Sequence, residues 1–126
     1  MTATLYKADG TREEITPRDG KAFTYDEMRS ILGCHTLERI NCGDPSMVMV
    51  GDEEARCFDD HIINREATRI FRDGHGIVGD VYAIFKANIA EMKARYGDGF
   101  IFCGDPDEEP YTIVGDVLYL PEMMTR

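Results

Sequence analysis

The stretch that decides how this chain folds is Ile113-Val114-Gly115-Asp116-Val117-Leu118-Tyr119-Leu120, closed by Pro121. It is a short apolar run, rich in β-branched residues and bounded by breakers, which is the pattern of a buried central strand. Its first five residues recur as Ile77-Val78-Gly79-Asp80-Val81, and three of them as Val50-Gly51-Asp52. Cys42-Gly43-Asp44-Pro45 likewise returns as Cys103-Gly104-Asp105-Pro106, each copy followed by a Val-Gly-Asp. Such echoes arise from turn chemistry wherever strands reverse, and duplication of a strand-turn-strand unit is the alternative.

Working outward, Phe100-Ile101-Phe102-Cys103, the acidic loop from Gly104 to Pro110 and the segment Tyr111 to Leu120 read as a closing hairpin. At the other end, Thr2 to Lys7 and Arg12 to Thr16 flank Asp9-Gly10, a strong local hairpin signal. Thr36 to Cys42 and Met47 to Val50 flank Gly43-Asp44-Pro45 as a further hairpin, and Arg56-Cys57-Phe58 reads as a short strand between acidic turns. Between these lie helices. Thr24 caps one whose Tyr25, Met28 and Leu32 form an apolar stripe, with Asp26 and Glu27 at its positive end and Gly33 as its stop. Asn64 caps a second, with Ala67, Ile70 and Phe71 inward and Arg65, Arg69 and Arg72 sharing the outer face. Asp80 caps a third, longer helix in which Val81, Ile84, Phe85, Ile89, Met92 and Tyr96 keep helical spacing up to Gly97, a strand from Ile77 to Phe85 being the competing reading. The sum is an α+β fold, a single domain over residues 1–126: a mostly antiparallel sheet built from hairpins, with about three helices on one face.

Fourteen basic residues against 24 acidic ones give a formal charge of -10. That balance argues against a direct grip on nucleic acid, which needs a basic face. An acidic surface suits solubility, a basic protein partner, or imitation of nucleic-acid charge. No apolar run approaches the roughly 20 residues of a membrane span, and Met1-Thr2-Ala3-Thr4 lacks the pattern of a signal peptide. The expected setting is cytoplasmic, with the four cysteines as thiols.

Three constellations carry chemistry. Cys34, His35, Cys57 and His61 are an alternative zinc set, without the Cys-x-x-Cys spacing of a knuckle. Asp80 and Asp116, with other glycine-flanked aspartates, are the alternative catalytic pair for a metal-assisted hydrolase or nucleotide-processing enzyme; no nucleophile elbow, phosphate loop or dinucleotide fingerprint accompanies them, and no cofactor is expected. Arg65, Arg69 and Arg72 either clamp a small phosphate-bearing ligand or form a solvated helix face. The acidic runs, including Asp52, Glu53, Glu54, Asp107, Glu108 and Glu109, are candidate binding residues for a protein partner. Tyr82 and Met92 on the long helix suit a second subunit as well as they suit the core.

Leu5-Tyr6-Lys7-Ala8-Asp9-Gly10 with Glu13-Glu14-Ile15, Met47 to Glu54, the helix Asn64 to Phe71 and the run Ile113 to Leu118 together resemble a family of small uncharacterised proteins of bacteriophages, plasmids and integrated elements, a domain of unknown function. These blocks span about half the chain. Residues 76–110 then read as an insertion relative to that family. The resemblance implies a phage or mobile-element context and an α+β domain, and brings no catalytic residues with it. The expected function is that of a non-enzymatic accessory protein acting by binding, with interference with host defence as its concrete form.

Overall fold

A computed structural model describes residues 2–57, 62–101 and 108–125. The alternating segments become strands β1 (Ala3–Tyr6), β2 (Arg12–Ile15), β3 (Leu37–Ile40), β4 (Met47–Asp52) and β5 (Val117–Pro121). They form one antiparallel sheet in the order β2-β1-β5-β4-β3. At the Asp9-Gly10 turn, the Asp9 carboxylate accepts from both the backbone N–H and the hydroxyl of Thr11, at 2.9 and 2.6 Å, while Gly10 supplies the positive φ. β5 joins the two hairpins: Leu118 stands between Leu5 of β1 and Val50 of β4.

The central position expected of the closing run therefore holds for its second half. The first half differs. Gly115 bends at φ 79°, Tyr111 sits at φ 55°, and Val114 makes an isolated bridge to Ile63 instead of a strand. The reason lies in competing partners: Ile113 O accepts from Asn64 N–H and Gly115 N–H donates to Ile62 O, so this backbone is taken before a ladder can form. Phe100 and Ile101 are not in a strand, and Phe102 and Cys103 lie outside the described residues; β5 pairs with β1 and β4 in place of the expected closing hairpin. The strand read at Arg56-Cys57-Phe58 is instead a 3-10 turn over Ala55–Cys57, with Phe58 outside the described residues. The Val-Gly-Asp copies at 50, 78 and 114 adopt a strand, a loop before a helix cap and a bend, which suits turn chemistry better than a repeated unit.

The three helices are α1 (Tyr25–Leu32), α2 (Arg65–Gly74) and α3 (Val81–Tyr96). α1 begins in a capping box, with Thr24 and Glu27 each bonding the other's backbone N–H, and ends at Gly33 in the left-handed conformation. The helices do not share one face. Met28, Ile31 and Leu32 of α1 pack with Phe23 and Met124 against Ala3, Leu5, Val48, Val50, Leu118 and Leu120. Ala67, Ile70 and Phe71 of α2 cover the other side, against Met49, Val117, Tyr6, Tyr119 and Ile40. Because side chains alternate along a strand, β4 sends Val48 and Val50 one way and Met49 the other, and both sides need cover. α3 contributes to neither cluster. The end of α2 abuts the β3–β4 turn so closely that a Cβ on Gly74 would lie 1.7 Å from Cys42 O.

Candidate functional site

Asn64 positions the surface around α2. It is 1 % exposed; its Oδ1 accepts from Ala67 N–H at 3.1 Å, capping the helix, while Nδ2 donates to the carbonyls of Tyr6 and Gly115 at 2.9 Å each. One turn on, the buried Thr68 hydroxyl accepts from Ile113 N–H at 2.9 Å. These bonds hold α2 and the 113–115 segment at the end of β1 and the start of β5.

A cleft of about 360 Å³ lies between that segment and the β3–β4 hairpin. Ile40, Phe71 and Ile113 give it apolar surface, and Glu38 and Glu53 are its acidic lining, while Asp52 borders it from β4 with its carboxylate on the α1 side, bonded to Glu54 N–H and close enough to raise the Cys34 pKa. The cation in its lining is Arg56, which is already engaged: its guanidinium donates to Thr112 O and, at 3.0 Å, to Thr112 Oγ1, and lies 3.6 Å from Glu108. Glu38 and Glu53 beside one committed guanidinium give the cleft an acidic character over an apolar floor. Asp52 and Glu53 were legible as an acidic turn, and Asp52 Oδ1 also accepts from Glu54 N–H at 2.9 Å. Glu38, Arg56 and Thr112 were missed as site residues. Period-two alternation already sets Glu38 and Ile40 on one face of β3, but nothing local announces Thr112, which meets Arg56 across 56 residues.

The arginine face is built as expected, with a shallow cleft of about 310 Å³ between Arg65, Arg69, Arg72 and the start of α3. Its charge is balanced. Arg69 pairs with Glu66 at 3.0 Å and Asp73 at 3.3 Å, while Arg65 and Arg72 share Glu109 at 2.7 and 3.1 Å. Arg72 also donates to Pro110 O and Tyr111 O. Burial raises the Glu109 pKa, but the hydrogen bonds and charges of Arg65 and Arg72 outweigh it and hold this carboxyl below the usual glutamate range. A phosphate would have to displace three carboxylates to reach three guanidinium groups.

The aspartates are occupied by backbone. Asp80 caps α3, accepting from Tyr82 and Ala83 N–H at 3.0 and 3.2 Å; Asp116 accepts from Ala8 N–H at 2.9 Å, tying β5 to the end of β1. Among the described residues no three His, Cys, Asp or Glu side chains gather around a position for a metal ion. Of the zinc set, Cys34 is half-buried, and burial, with the Asp52 charge adding to it, pushes its thiol pKa up. Cys57 is exposed. His61 and Asp107 lie outside the described residues. No helix among the described residues is long and apolar enough to cross a membrane.

Comparison with protein families, with curated proteins and with solved structures finds no match to this chain.

Proposed function

We propose that the protein is a non-enzymatic accessory protein of a phage or mobile element that acts by binding a basic macromolecular partner. The observation that carries this reading is the acidic cleft in which Glu38 and Glu53 stand over Ile40, Phe71 and Ile113, on a chain whose formal charge is -10. A lysine or arginine side chain of the partner fits that chemistry, its stem on apolar surface and its head among carboxylates. The concrete form is interference with host defence, in which acidic surface occupies the nucleic-acid site of a host protein. The mobile-element setting rests on the sequence blocks quoted above. Binding in place of catalysis is supported by Asp80 and Asp116, both committed to backbone N–H groups.

The test has two arms. Pull-down from bacterial lysate is expected to recover nucleic-acid-binding proteins that added DNA displaces, and Glu38→Lys with Glu53→Lys is expected to lose them; recovery of acidic or neutral proteins alone would end the mimicry reading. A screen for nucleotide and phosphodiester hydrolysis with magnesium or manganese is expected to show no turnover. Turnover that Asp80→Ala or Asp116→Ala removes without unfolding the protein would make it an enzyme.

A further inference from the structure

Helix α3 carries a pattern that its contacts within the fold do not account for. Tyr82, Phe85, Ile89, Met92 and Tyr96 succeed one another at spacings of three, four, three and four, the a/d line of a helix–helix seam. Val78 continues it one step before the helix. Yet α3 has no buried residue, and Val78, Tyr82, Met92 and Tyr96 are 78, 40, 37 and 60 % exposed. Phe85 meets the ring of Tyr111 edge-on at 5.8 Å and Asn88 bonds the Tyr111 hydroxyl, which anchors the first half of the helix. From Ala90 to Tyr96 every residue is exposed. A helix of 16 residues gains little stability alone and normally buries one stripe against something.

The charges beside the seam indicate what that something is. Lys86 and Lys93 occupy the e positions, and Arg95 a g position; Glu91 lies farther round, paired with Arg95 at 3.3 Å. Among the described residues neither lysine has an ion-pair partner. Three basic residues against one acidic make α3 a local reversal of charge on a chain of -10. A second copy is a poor occupant. Antiparallel pairing sets Lys86 against Lys93 of the other helix, and parallel pairing sets the lysines against Val81 and Asn88, with no carboxylate in either case. An anionic lipid surface is extended and would bring its charge against the acidic body as well as the helix, whereas a single helix lies along α3 alone, beyond which salt screens the body.

We infer that α3 is a docking helix for an amphipathic helix of a partner protein whose apolar a/d line is flanked by carboxylates. This surface is separate from the acidic cleft, and the inference stands whether or not the cleft binds a basic partner. The test uses two labelled synthetic helices of about three heptads, both with leucine at a and d, one with glutamate at e and g and the other with lysine. In fluorescence anisotropy with the full chain, the glutamate peptide is expected to bind at least about tenfold tighter than the lysine peptide, with the margin shrinking as salt rises. Met92→Asp is expected to lose about tenfold in affinity with an unchanged melting temperature, because Met92 belongs to neither buried cluster among the described residues. Lys86→Glu with Lys93→Glu is expected to invert the preference between peptides. The inference is overturned if neither peptide binds, if both bind equally, or if Met92→Asp binds as well as the wild type. It is equally overturned if light scattering finds a dimer that Met92→Asp splits, or if anionic vesicles take up the protein and Met92→Asp releases it.

Discussion

Asn64 meets three separate backbone demands with one amide: a cap for α2 and donors for the Tyr6 and Gly115 carbonyls. Asn64→Ala removes the cap and takes a donor from two part-buried carbonyls, a combined cost of about 2 to 3 kcal/mol. Asn64→Asp keeps the cap but turns a carboxylate toward those carbonyls, so it is expected to destabilise at least as much; urea unfolding followed by circular dichroism measures both. Gly74 presents a different demand, for space. Its added Cβ would lie 1.7 Å from Cys42 O, and backbone cannot swing aside as a side chain does. Gly74→Ala is therefore expected to cost roughly 2 to 4 kcal/mol. Gly99→Ala, where a Cβ meets nothing within 4 Å, is the control and is expected to change stability by less than about 0.5 kcal/mol.

Among elements, the contact between α2 and the chain at 109–111 is sensitive to acid. Glu109 binds Arg65 and Arg72, and its folded pKa lies below the ordinary value of 4.5. Its contribution to stability is thus present above about pH 4.5 and lost as pH falls through the depressed folded value. Glu109→Gln is expected to melt below the wild type at pH 7 and to approach it near pH 3; parallel curves across that range would remove the ion pair as a source of acid sensitivity. What the sequence disclosed about elements follows the range of the determining contacts. The capping box of α1 spans Thr24 to Glu27 and the cap of α3 spans Asp80 to Ala83, so both could be read locally. The bend at Gly115 depends on Ile62 and Asn64, and no local pattern encodes it. The side each helix covers had a signal that went unused: Met47-Val48-Met49-Val50 is apolar without alternation, which is how a strand covered on both faces reads. The candidate cleft was half legible for the same reason, its acidic turn being local and its Arg56–Thr112 wall long-range.

Across the whole molecule, charge and topology work together at the sheet's borders. The outer strands are β2, Arg12-Glu13-Glu14-Ile15, and β3, Leu37-Glu38-Arg39-Ile40, whose charged side chains discourage pairing with another chain. β1 and β4 carry no such guard, because β5 lies between them and covers the inner edge of each, while β2 and β3 cover the outer ones. β5 is also made after the four strands it unites. During translation the inner edges of β1 and β4, rows of backbone N–H and C=O groups, have no strand to pair with until Val117–Pro121 has been made. Until then, those two edges are open to any other extended chain, so late arrival of the keystone strand is an exposure to aggregation.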